Sequence, residues 1–172
     1  MNGRKIMRGI LWAVFVIYAC VVLGILFFET RSSRFPYGSV WEYIRHSVNL
    51  IPFKTIWGYA MDVMTKPWML GIAIRNVLGN LVLFYPMGIF LSCLFSRIRT
   101  LKQTVLISLC TILSVECIQL IFRRGIFDID DLILNMAGWM LGFLTFSIPF
   151  VRRLLKKMSI LNENEILTER ED

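Results

Sequence analysis

Four apolar segments of membrane-spanning length dominate what this chain can fold into: residues 10–28, 71–94, 103–122 and 132–151. A helix needs about 20 mostly apolar residues to cross the hydrocarbon core. Inside that core every backbone N–H and C=O must be satisfied by the segment itself, which a helix does. The first segment carries no charge. Polar residues interrupt the other three: Arg75, Asn76 and Asn80 in the second, Glu116 in the third and Asn135 in the fourth. Composition agrees, with 56% apolar residues and a mean hydropathy of +0.63. Soluble domains sit nearer ~45–50% apolar. The reading is an all-α integral membrane protein with four transmembrane helices. At 172 residues it forms one domain, with a transmembrane body over 1–158 and a polar tail over 159–172.

The first segment follows Arg4, Lys5 and Arg8, as a signal peptide would. Its apolar run exceeds the usual ~7–15 residues of a cleaved leader and ends at Phe27-Phe28-Glu29-Thr30 without a small-residue cleavage pattern. It reads as a retained anchor. Cys20, Cys93, Cys110 and Cys117 all fall inside apolar segments. Neither Cys-x-x-Cys nor zinc-type spacing occurs, so they read as small buried hydrophobes.

A net charge of +7 does not point to nucleic acid, because the charges cluster at segment ends. Arg4, Lys5 and Arg8 form one group, Arg97, Arg99 and Lys102 a second, and Arg152, Arg153, Lys156 and Lys157 a third. With four spans these groups share one side, and the positive-inside rule makes it cytoplasmic. Both termini are then cytoplasmic, and attraction to anionic lipid is a sufficient use for the charges. Residues 29–70 and 123–131 face outward.

That topology gathers the intramembrane polar groups at one depth. Arg75, Asn76 and Asn80 lie near the outer end of span two, Glu116 and Gln119 near the outer end of span three, and Asn135 near the start of span four. Beside them runs the loop with Arg123, Arg124, Asp128, Asp130 and Asp131. Ionisable groups in a span are costly and normally face a bundle interior or an aqueous cavity. These eleven residues form the candidate ligand-binding site. The aspartates also suit the positive end of span four, where they can cap free N–H groups, and Gly125 suits a turn. Glu116 is either a structural partner of Arg75, Arg123 or Arg124, or a base, proton acceptor or cation ligand. The asparagines alternatively serve as interhelical hydrogen bonds. Gly138 and Gly142 form a small-x-x-x-small pair, a close-packing signal, and Pro86 is expected to kink span two.

The loop over 29–70 is rich in aromatics: Phe35, Tyr37, Trp41, Tyr43, Phe53, Trp57, Tyr59 and Trp68. Ile56, Trp57, Tyr59, Ala60, Val63 and Met64 are dense enough for an interfacial helix. It is expected to wall or cover the polar cluster. His46, the single histidine, reads as a surface residue, since no second histidine supports a ligand role.

An ordered set of motifs resembles the VanZ-like family: Asn49-Leu50-Ile51-Pro52-Phe53, Asn76-Val77-Leu78-Gly79-Asn80, Phe84-Tyr85-Pro86-Met87-Gly88, Glu116-Cys117-Ile118-Gln119, Arg124-Gly125, Phe127-Asp128-Ile129-Asp130-Asp131 and Asn135-Met136-Ala137-Gly138. The resemblance implies a multi-pass protein of the bacterial cell membrane, in Gram-positive-type organisms. The family's named member confers resistance to teicoplanin-type glycopeptides without rebuilding the peptidoglycan precursor. The first function reading is therefore a binding module at the outer leaflet, holding a lipid headgroup, a cell-wall lipid precursor or a lipoglycopeptide. A second is an interfacial enzyme with Glu116 as base and Asp128, Asp130 or Asp131, chiefly Asp128 and Asp131, on a divalent cation. No Gly-x-Ser-x-Gly, His-Glu-x-x-His or phosphate-cradling glycine loop supports it, and no cofactor is expected. A third is a small transporter or flippase component, although no inverted repeat is visible. A fourth is a purely structural cluster. Oligomeric state is left open.

Overall fold

The structure is a computed structural model that describes residues 3–28, 39–95, 98–158 and 160–161. Phe35, Tyr37, Arg97 and the tail beyond Leu161 lie outside the described residues. In chain order the helices are α1 (Gly3–Phe28), α2 (Val40–His46), α3 (Lys54–Thr65), a 3₁₀ turn (Pro67–Met69), α4 (Leu70–Leu94), α5 (Leu101–Ile121), α6 (Ile129–Ser147) and α7 (Pro149–Lys157). Four are long and apolar enough to cross a membrane: α1, α4 with its 3₁₀ turn, α5 and α6. The aromatic segment between the first two spans contains α2 and α3, and α3 buries none of its residues. Trp41, Trp57 and Trp68 are exposed, as interfacial tryptophans should be.

Local chemistry sets the helix ends. Thr100 and Gln103 close a capping box at the start of α5, satisfying two N–H groups that would otherwise be orphaned. The apolar run over 132–151 is not one helix. Pro149 disfavours a helical residue before it, and Ile148 is extended at φ −62°, ψ 127°. The fourth span therefore ends at Ser147, and Pro149 opens the short basic helix α7. It also starts earlier than hydropathy indicates, at Ile129, because the aspartates form its first turn. Helix α4 runs continuously through Pro86, so proline removes one N–H from its ladder without ending it.

Helix α6 is the centre of the bundle, packing closely on α4 and also against α5. Glycines allow the close approach. A Cβ at Gly138 would overlap the Leu81 carbonyl oxygen, and one at Gly142 the Tyr85 carbonyl oxygen. From the other side, a Cβ at Gly88 would lie 2.6 Å from the Phe143 nitrogen. With hydrogens at these positions the backbones come close enough for Cα–H···O contacts. Phe84, Ile112, Leu132 and Trp139 form the core between the three helices, with Phe84 stacked on Trp139.

Helix α1 lies at the edge, in contact with α4. Tyr18 donates to the Leu83 carbonyl at 2.5 Å, and Phe15 and Tyr18 pack on Phe90. Its other faces are exposed and apolar, suited to lipid. At the basic end, Arg8 donates to the Leu94 carbonyl and Arg99 to the Ser92 carbonyl, placing cations on unsatisfied acceptors at the negative end of α4. Ile160 and Leu161, assigned to the polar tail by sequence, are buried beside Cys93 and Phe146, because both are apolar. Cys93 alone among the four free thiols is buried; Cys20, Cys110 and Cys117 are on the bundle exterior.

Candidate functional site

The opposite end of the bundle holds the polar residues. Helix α5 finishes in a Schellman motif: Arg124 N–H donates to the Gln119 carbonyl and Arg123 N–H to the Leu120 carbonyl. The left-handed residue this motif requires is Arg123, at φ 55°. Gly125, the residue sequence would choose, is not left-handed. Side chains beyond glycine and asparagine rarely adopt this conformation. The Arg123 guanidinium lies 6.0 Å from the centre of the Tyr43 ring. Tyr43 is buried and its hydroxyl donates to the Gly125 carbonyl at 2.5 Å.

From this turn the chain pairs with the segment before α3. β1 (Val48–Asn49) and β2 (Phe127–Asp128) form a short parallel ladder, Val48 opposite Phe127 and Asn49 opposite Asp128. Asp128 is the N-cap of α6, accepting from Asp130 N–H at 2.9 Å. It also accepts from Asn49 Nδ2 at 3.1 Å and from the Thr55 hydroxyl. Asp130 is fully buried at 0% exposure. Its carboxylate reaches across to α3 and accepts from the backbone N–H groups of Phe53, Thr55 and Ile56 at 2.5, 2.8 and 3.1 Å. Phe53, the N-cap position of α3, is itself left-handed at φ 64° and offers no side-chain cap. Asp130 supplies that cap from another helix, where the dipole favours a negative charge.

The other polar residues divide into partnered and unpartnered groups. Asn80 Nδ2 donates to Asp131 Oδ1, joining α4 to α6. Gln119 Nε2 donates to the Leu26 carbonyl at 2.6 Å, tying α5 to the end of α1. Asn76 donates back to the Ile72 carbonyl. Glu116 is buried, at 6% exposure, within electrostatic reach of Asp131 and Asp128. It makes no hydrogen bond and no ion pair among the described residues. Asn135 is 3% exposed and its Oδ1 is enclosed without a partner, as is Trp139 Nε1. Arg75, Arg123 and Arg124 are exposed and form no ion pair with Glu116 or the three aspartates. Among the described residues no three His, Cys, Asp or Glu side chains are grouped to hold a metal ion. His46 is exposed near the end of α2.

A sequence model of the VanZ/LLP1 family matches residues 15–152, which includes all of these groups. The chain belongs to the VanZ/LLP1 family. Among curated proteins, Protein VanZ of Enterococcus faecium is 27% identical over 156 residues, covering 91% of this chain and 83% of the relative. No solved structure matches it. Four apolar helices and this membership make the chain a multi-pass membrane protein.

Sequence reasoning missed several residues that hold this polar end together: Asn49, Thr55, Tyr43 and the backbone of Phe53. Their partners lie 73 to 82 residues away in the chain, beyond any periodicity. The one available signal was Asn49 and Phe53 within the Asn49–Phe53 motif. Conversely, Asp130 is placed by the structure as a helix cap whose oxygens are engaged by α3.

Proposed function

We propose that this VanZ/LLP1 protein binds the anionic headgroup of an amphiphile, a cell-wall lipid precursor or a lipoglycopeptide, at the outer leaflet, and so contributes to glycopeptide resistance of the teicoplanin type. The observation that carries the reading is that, among the described residues, Arg75, Arg123 and Arg124 pair with neither Glu116 nor the three aspartates. A bundle held together by this polar cluster alone would pair its arginines with its acids. Instead Asp128 and Asp130 are engaged by N–H and O–H groups, while Arg75, Arg123 and Arg124 remain exposed. Exposed guanidinium groups are suited to forked hydrogen bonds with phosphate or carboxylate. Arg123 is also held in a left-handed conformation, and such strain gathers at functional turns.

The three basic clusters support an orientation with both termini cytoplasmic and the α5–α6 turn outside. The relative is a VanZ protein, which supports the link to glycopeptides. Helix α3 and its Trp57 then lie in the outer headgroup layer, pinned by Asp130 as a fixed wall.

The test is direct binding of a labelled lipid-linked wall precursor, and separately of a labelled lipoglycopeptide, to the full chain in nanodiscs. Binding of at least one is expected, weakened about tenfold in Arg124→Ala, the loss of one charge-assisted contact. No binding of either, or binding unchanged in Arg124→Ala and Arg123→Ala together, overturns the proposal.

A further inference from the structure

The interior side of the same end carries a second recognition element. Helices α5 and α6 are antiparallel neighbours joined by the turn between them. Glu116 lies five residues before the end of α5 at Ile121, and Asn135 six residues after the start of α6 at Ile129. At 1.5 Å rise per residue both stand about 8–9 Å from the α5–α6 turn, so Glu116 and Asn135 share a level. Both are more than nine-tenths buried. The Glu116 carboxylate has no donor, and Asn135 Oδ1 is enclosed and has no donor. A second carboxylate, Asp131, lies one turn above Asn135 on the same face of α6 and within electrostatic reach of Glu116. The Glu116 oxygens are not among the fully enclosed polar atoms, so the carboxylate keeps some accessible surface.

Unsatisfied buried acceptors are costly, and two at one level suit a donor that a ligand brings. Arg75, Arg123 and Arg124 form no ion pair with Glu116. A primary ammonium has three N–H donors and a positive charge, which matches a carboxylate and an amide oxygen at one level.

We propose that Glu116 and Asn135 form a subsite for a primary ammonium group carried by an amphiphile. The subsite rests on the headgroup-binding reading and specifies its chemistry: the ligand is an amine on the interior side and an anion on the arginine side. The amine comes either from an aminophospholipid of the bilayer or from an acylated peptide.

Native mass spectrometry of the full chain released from nanodiscs tests this in two arms. The first compares retained phosphatidylethanolamine with phosphatidylcholine, whose trimethylated nitrogen has no N–H. The second compares a dodecanoyl peptide bearing one lysine amine with its acetylated form. The expected result is a preference of about tenfold or more for the primary amine in at least one arm, which also identifies the source. Glu116→Gln, close to isosteric, and Asn135→Leu should each bring the ratio near unity. Equal retention of amine and blocked amine by the wild-type chain in both arms overturns the subsite without reference to any variant. A preference that persists in both variants overturns it as well. Dodecyl phosphate, bound by the wild type and lost in Arg124→Ala, reports separately on the headgroup reading, so the two can fail independently.

Discussion

Asp130→Ala is the sharpest structural perturbation. The carboxylate is fully buried and accepts three backbone N–H groups at the start of α3. Losing an N-cap acceptor costs ~1–2 kcal/mol. The remaining bonds are charge-assisted, and leaving their donors unmet adds a further ~1–2 kcal/mol after partial replacement by water. The sum is about 3 kcal/mol, acting on a helix with no buried residue of its own and with Phe53 strained at φ 64°. The cost therefore falls on local opening of α3. Amide exchange of residues 53–65, followed by mass spectrometry in nanodiscs, should quicken about a hundredfold. Peptides from α4 and α6 should hold their protection, because the glycine contacts between them do not involve Asp130. Asp130→Asn keeps one acceptor oxygen and should lose only about 1 kcal/mol. Unchanged exchange in α3, or equal loss of protection across α3, α4 and α6, would refute the assignment of Asp130 as the cap of α3.

Other outcomes follow from the same geometry. Gly138→Val places side-chain atoms on the Leu81 carbonyl and should destabilise the bundle by ~1–3 kcal/mol, seen as a lower thermal unfolding midpoint; an unchanged midpoint would contradict the close α4–α6 packing. Arg123→Gly removes the left-handed penalty and should stabilise by ~1 kcal/mol while weakening binding of an anionic amphiphile. If stability and binding rise together, the strained arginine has no binding role. Cysteine at Lys66 should react with a membrane-impermeant thiol reagent added to intact cells, and cysteine at Lys157 should not; the reverse pattern would invert the topology.

How far the sequence reaches depends on the range of the physics involved. The four spans were legible because a 20-residue apolar run is a local property, and the amphipathic aromatic segment announced α3 for the same reason. Gly138 and Gly142 were legible as a spacing, and the structure shows the carbonyls they approach. The end of α6 was misread because hydropathy does not register that Pro149 breaks a helix whose apolar run continues. Topology alone puts Arg75, Asn76, Asn80, Glu116, Gln119 and Asn135 at one depth beside the 123–131 loop. It does not give their division into partnered and unpartnered groups, since that depends on side-chain reach across helices. Asp130 is the clearest case: its pattern reads as a local cap, and Asp128 does cap α6 locally, but Asp130 caps a helix more than 70 residues earlier in the chain.

The central claim is that the polar end of the bundle is a site and not only internal bonding. Glu116→Gln separates the two, because among the described residues Glu116 makes no hydrogen bond or ion pair that the change could break. The decisive measurement is teicoplanin susceptibility of cells expressing wild type or Glu116→Gln, with membrane abundance of each protein quantified in the same cultures. Protection by the wild type that is lost in Glu116→Gln at equal abundance is the predicted result. Protection that survives at equal abundance, or that falls only in step with abundance, would contradict it.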